Sequence, residues 1–177
     1  MSLRHLLIVS ICMPALAWAL PKKEWALQSG PLTYHVNYVL KKTEGVSHNV
    51  KGKGQCEAGT CEFLVAAPVN SFDSGDGNRD AHMLEVTKGS ANPMIVVRTK
   101  FSDPQNFEGL SVDSTIQFAG KEHEYKGIKV TVTGKDGPLH VHGSVPLKLK
   151  DFAIEAPTLL GIAIDDSTPV DFDLVWN

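Results

Sequence analysis

The sequence predicts an all-β domain carrying one or two short helices. Three observations lead there. Apolar and polar residues alternate with period two through most of the chain, as on a strand with one buried face. Val, Ile, Thr and Tyr are frequent in those stretches and fit a pleated surface. Between them stand clusters of Gly, Asp, Ser and Pro with the chemistry of turns.

The strands follow in order. Residues 32–40 alternate around Tyr34, Val36 and Tyr38. Residues 61–69 form a short, nearly continuous apolar run, and Pro93 opens the next strand at residues 94–101. Residues 110–118 place Val112, Ile116 and Phe118 on one parity, and residues 128–133 do the same with Ile128, Val130 and Val132. The alternation continues through residues 139–149 and closes the chain at residues 170–176. Turns are expected at Gly52-Lys53-Gly54, Gly75-Asp76-Gly77, Lys135-Asp136-Gly137-Pro138 and Asp165-Asp166-Ser167. Residues 78–88, halted by Gly89, have a helical pattern, and a second short helix is expected at residues 156–160. Roughly seven or eight strands at such spacing make a sandwich or a closed antiparallel barrel. A barrel of about eight strands has room for its own side chains or one small elongated ligand.

The first residues have a different purpose. Arg4 and His5 precede an apolar run, and Ala15-Leu16-Ala17 and Ala17-Trp18-Ala19 offer two small-residue exits. This is the pattern of a secretory signal peptide, residues 1–19, cut after Ala19 and leaving residues 20–177 as one domain. The apolar stretch is too short to span a bilayer, which takes about 20 residues. A periplasmic or secreted protein is expected, with no transmembrane segment. Cys12 leaves with the signal, so the three cysteines become the pair Cys56 and Cys61, with four residues including a Gly between them. Export favours a disulfide between them. Zinc would need further ligands, and redox motifs usually enclose two residues rather than four.

The 177 residues suit a single domain, and a formal net charge of -3 offers no basic face for nucleic acid. No catalytic constellation stands out. His140 and His142 share a strand face, and with His123 or His82 they define a metal-dependent enzyme as one alternative. Leu139 and Val141 take the apolar face, so the pair is expected to point outward. Ser71 and Ser74 lie near Asp80 and His82, yet the chain has no Gly-x-Ser-x-Gly elbow. No catalytic residue, metal or cofactor is assigned.

Three stretches together resemble the YceI-like family of exported lipid-binding proteins. Arg79-Asp80-Ala81-His82-Met83, within residues 71–83, is similar to that family's Arg-Asp-x-His-Met/Leu signature. Residues 114–122 are similar to its Leu-Thr-x-x-Gly-x-Thr-Lys strand and turn, and residues 147–157 to its penultimate strand with an Asp-Phe-Gly-Ile corner. The chain departs at Leu84-Glu85-Val86, at Lys121-Glu122 and at Ala153, which replaces the corner Gly. The resemblance implies a lipocalin-like extended antiparallel β-barrel of about eight strands, with a tunnel for a polyisoprenoid or fatty-acyl amphiphile held without chemistry. The expected lining is Tyr34, Val36, Tyr38, Phe63, Val65, Ile95, Val97, Ile116, Phe118, Val130, Val132, Val141, Phe172 and Leu174. Arg79, Asp80 and His82 are expected at a polar mouth, with an Arg–Asp pair pinning the loop as the other role. A second alternative is a scaffold or stress-response barrel packed with its own side chains. Monomer and homodimer both remain open.

Overall fold

The computed structural model describes residues 22–37, 42–104, 106–134, 137–156, 158–159, 162–163 and 165–177. The signal peptide expected at residues 1–19, Tyr38 and the turn residues Lys135 and Asp136 lie outside them. The wall is built from β1 (Lys23–Ser29), β2 (Leu32–Asn37), β3 (Lys42–Ser47), β4 (Lys51–Glu57) and β5 (Thr60–Pro68). It continues with β6 (Met94–Ser102), β7 (Ser111–Phe118), β8 (Lys121–Thr133) and β9 (Leu139–Val145). A two-residue pair, β10 (Thr158–Leu159) and β11 (Ile162–Ala163), precedes the last strand, β12 (Val170–Trp176).

The strands run in the order β1-β4-β5-β6-β7-β8-β9-β12, and β12 returns to β1. Antiparallel pairing therefore closes an eight-walled barrel. β12 pairs with β2 from Val170↔Tyr34 to Phe172↔Leu32 and with β1 through Leu27↔Trp176 and Ser29↔Val175. β1 and β2 thus act as one wall strand, bent at Gly30-Pro31. Gly30 has φ 142° and lies so close to β12 that a Cβ would enter the Asp173 carbonyl. β3 and β4 form the next wall in the same way, β3 pairing β2 and β4 pairing β1.

The expected strands are present, with three corrections. Gly52-Lys53-Gly54 is not a turn; it lies inside β4. The glycines stand where rings need the space: a Cβ on Gly54 would run into the Phe63 ring, and one on Gly52 would meet Trp176 at 2.7 Å. Within the helix expected at residues 156–160, Thr158 and Leu159 are instead strand, paired with Ala163 and Ile162. The helical turn near that place comes earlier, a 3-10 turn at Leu149–Phe152. The strand expected through residue 149 ends at Val145, before Pro146.

Each end of the barrel has its own covering. The one α-helix among the described residues, α1 (Gly77–Val86), crosses the end where β5 leaves and β6 begins. Asp76 caps it, accepting from the backbone N–H groups of Asn78 (3.0 Å) and Arg79 (3.2 Å). At the other end β4 and β5 meet in a two-residue turn with Ala58 (φ 51°) and Gly59 (φ 77°), a primed hairpin geometry. One rung in, Cys56 and Cys61 are register partners joined by a disulfide, with Cα atoms 4.0 Å apart. The 3-10 turn packs on β8, with Leu149 facing into the barrel. The Tyr125 hydroxyl donates to Asp151 at 2.8 Å and accepts from the Lys148 N–H at 3.1 Å. Ala153 ends that turn at φ 53°, the left-handed corner for which the family pattern supplies Gly.

Candidate functional site: the barrel lumen

Alternation turns one face of every wall strand inward. Cys61, Phe63, Val65 and Ala67 on β5 oppose Phe101, Thr99, Val97 and Ile95 on β6. Val97 and Thr99 oppose Ile116 and Ser114 on β7. On the far side Val130 and Val132 of β8 face Gly143 and Val141 of β9, which face Phe172 and Leu174 of β12. These side chains do not meet in the middle. They surround a cavity of about 290 Å³ open to the centres of water molecules, lined almost wholly by carbon. Most of the buried apolar residues are therefore the inner wall of a hollow barrel.

Aromatic rings shape both ends. At the hairpin end Phe63 contacts Trp176 edge-on at 5.2 Å, Trp25 at 5.7 Å and Phe101 at 5.9 Å. The disulfide lies in the same part of the lining. At the α1 end Tyr34 and Phe72 lie 5.7 Å apart, and Met83 and Val86 of the helix face inward. Three rings rest over glycines directly across from them, Tyr34 over Gly45, Phe63 over Gly54 and Phe172 over Gly143. Lying flat on a glycine, a ring takes less of the lumen than one standing against a side chain.

The polar groups in the lining are few. Thr99 and Ser114 bond each other through their hydroxyls at 2.7 Å. At the α1 end stand Thr43, Arg79, His82, Thr87 and Thr168. Arg79 gives Nε–H to Ser74 Oγ (2.8 Å), Nη2–H to the Ser74 carbonyl (3.0 Å) and Nη1–H to Thr43 Oγ1 (3.4 Å). Asp80 accepts from the Ser74 hydroxyl (2.5 Å) and from its N–H (3.2 Å). Arg79 and Asp80 therefore hold Ser74 between them.

The residues expected in the lining take these places. Tyr34, Val36, Phe63, Val65, Ile95, Val97, Ile116, Phe118, Val130, Val132, Val141, Phe172 and Leu174 all face the cavity. Arg79 and His82 stand at its α1 end, whereas Asp80 is turned to Ser74. Among the residues the sequence reading missed are Trp25, Phe101, Leu139, Trp176, Thr43 and Thr168. Parity held the signal for three of them: Phe101 follows Val97, Leu139 precedes Val141, and Trp176 follows Leu174. The four histidines weighed for metal do not come together. His140 and His142 are exposed on the outer face of β9, His82 is on α1, and the His123 ring lies tilted against Tyr125 at 4.7 Å. Among the described residues one group of metal-type ligands comes together, Cys56, Cys61 and Asp103, and its two sulfurs are tied in the disulfide. Ser71 donates to the Pro68 carbonyl at 2.6 Å and bonds Ser47. No helix among the described residues is long and apolar enough to cross a membrane.

A closed eight-walled antiparallel barrel, hollow and apolar within and crossed at one end by a helix, defines an all-β protein of the lipocalin-like type. Residues 28–176 match the model of the YceI-like domain, and the chain belongs to that family. Solved structures share the fold. A polyisoprenoid binding domain from Saccharophagus degradans, implicated in plant cell wall breakdown, aligns with TM-score 0.68 at 15% identity, covering 86% of this chain and 97% of its own. BcnA of Burkholderia cenocepacia aligns with TM-score 0.68 at 17% identity, covering 82% and 95%. A YCEI protein of Campylobacter jejuni aligns with TM-score 0.51 at 13% identity, covering 99% and 89%. No curated protein sequence matches the chain.

Proposed function

We propose that this protein is an exported carrier that holds a polyisoprenoid or other long-chain amphiphilic lipid in the barrel, without doing chemistry on it. The observation that carries the proposal is the continuous apolar cavity, to which nearly every wall strand contributes. An apolar chain entering it gains about 0.8 kcal/mol for each buried methylene, so length alone provides affinity. From Phe101 to Ile95 the inner face of β6 runs six residues, about 20 Å along the strand, which suits an extended chain better than a compact ligand. The disulfide supports an oxidising compartment, in keeping with the signal peptide expected at residues 1–19. The family resemblance and the neighbour described as a polyisoprenoid binding domain support this ligand class. The cavity also counts against a barrel filled by its own side chains.

Blocking the lumen tests the reading. Val97 points inward at mid-barrel and Val96, its chain neighbour, points out. Val97→Trp should remove most of the uptake of a fluorescent polyene fatty acid, while Val96→Trp keeps it. Ile116→Phe is a milder block in case the larger ring prevents folding. Undiminished uptake by a folded, blocked barrel contradicts a lumen site.

A further inference from the structure

The α1 end of the cavity contains donors without acceptors. Thr168 is 7% exposed and lines the cavity, and its hydroxyl is the one buried side-chain polar atom among the described residues with no hydrogen-bond partner. Its backbone is fixed, the N–H donating to the Leu147 carbonyl at 2.8 Å. Buried hydroxyls are normally satisfied, so an orphan within the wall of a cavity points to a group that is to arrive there once the side chain turns to meet it. Continuing the β2–β12 register from Val170↔Tyr34 places Thr168 in the rung of Val36, whose other neighbour is Thr43. The two threonines are thus two strands apart, about 10 Å.

Arg79 completes the set. It is the only permanently charged side chain in the cavity lining among the described residues. It takes part in none of the ion pairs among those residues, and Asp80 accepts from Ser74. Three of its five N–H groups are used, two on Ser74 and one on Thr43, leaving two for a ligand. Thr43, 6% exposed, accepts from Arg79 and retains its own hydrogen to donate. One guanidinium and two hydroxyls, all with donors to spare beside an apolar lumen, call for an acceptor at the end of an apolar chain.

We propose that the α1 end is a headgroup site for one negative charge, taking the carboxylate of a long-chain acid on Arg79, Thr43 and Thr168. The single positive charge sets the valence. Asp73, Asp76, Asp80 and Glu85 crowd the same loop and helix, so a diphosphate would set several negative charges against one guanidinium and four carboxylates. A neutral alcohol would leave the guanidinium unanswered, and charge-assisted bonds are about twice as strong as neutral ones.

This inference rests on the lumen being the lipid site, and the experiment separates the two. Titration of the delipidated protein compares hexadecanoate, hexadecanol and farnesyl diphosphate. Hexadecanoate should bind about tenfold or more tightly than either of the others, a free-energy difference near 1.4 kcal/mol. Arg79→Gln and Thr168→Val should each lower the ratio of hexadecanoate to hexadecanol affinity several-fold. Thr168→Val removes only the orphan hydroxyl and should melt no lower than the wild type, which keeps the test sound if Arg79→Gln disturbs the loop. Uptake of all three with equal affinity, a preference for the diphosphate, or an unchanged ratio in Thr168→Val overturns the headgroup site alone. Uptake of none overturns the lumen reading as well.

Discussion

The side chain that ties the 3-10 turn to the barrel is Tyr125. Burial raises its hydroxyl well above the ordinary value of 10.0, and the bond to Asp151 acts in the same direction. A folded-state pKa above the unfolded one means that the unfolded chain loses its proton first as pH climbs. The stabilisation is therefore complete below about pH 10 and drains away above it. Tyr125→Phe should cost about 1–3 kcal/mol at neutral pH, since it leaves the Asp151 carboxylate and the Lys148 N–H without their partner. Urea unfolding of both proteins from pH 8 to 11.5 should show that gap constant at first and narrowing beyond pH 10. A gap of one size throughout would show that the hydroxyl does not anchor the turn. This part of the molecule was hard to read in sequence. Tyr125, His123 and Phe152 bring together β8 and a turn more than twenty residues later, and Ala153 takes a left-handed conformation that its side chain does not advertise.

Among the elements, strands rich in apolar residues were legible and strands rich in glycine were not. β6, β7, β9 and β12 turn Val, Ile, Leu and Phe inward, so their alternation stands out. β3 and β4 turn Thr43, Gly45, Ser47, Gly52, Gly54 and Cys56 inward, and hydropathy gives no period two there. The glycines looked like a turn because the rings that cover them, Phe63 and Trp176, come from other strands. The β4–β5 hairpin was visible through its cysteines. Its disulfide closes a loop of sequence separation 5, for which the chain-entropy argument gives about 2 kcal/mol. Reduction, or replacement of both cysteines by Ala, should lower stability by about that amount, read by thermal unfolding with and without reductant. It should also loosen the hairpin end of the lumen, where both cysteines lie in the wall. Identical melting with and without reductant would mean that the hairpin needs no staple.

At the scale of the whole molecule, an eight-walled barrel leaves an interior that sequence alone can assign either to a core or to a ligand. The apolar lumen residues have the hydropathy of core residues, so no local pattern separates the two. What separates them is closure, through the β12–β1 pairing, together with rings laid over glycines so that the centre stays open. The polar mouth was legible only in part: Arg79 and His82 stand in a motif, whereas Thr43 and Thr168 are ordinary residues until the register brings them to one end. The central claim is that the hollow carries a long amphiphilic chain. Native mass spectrometry of the purified protein, paired with organic extraction, tests it most directly. The expected result is a bound species that adds the mass of one long-chain lipid, leaves in organic solvent and is regained on incubation with such lipids. A barrel that is purified empty and takes up no long-chain lipid would contradict it.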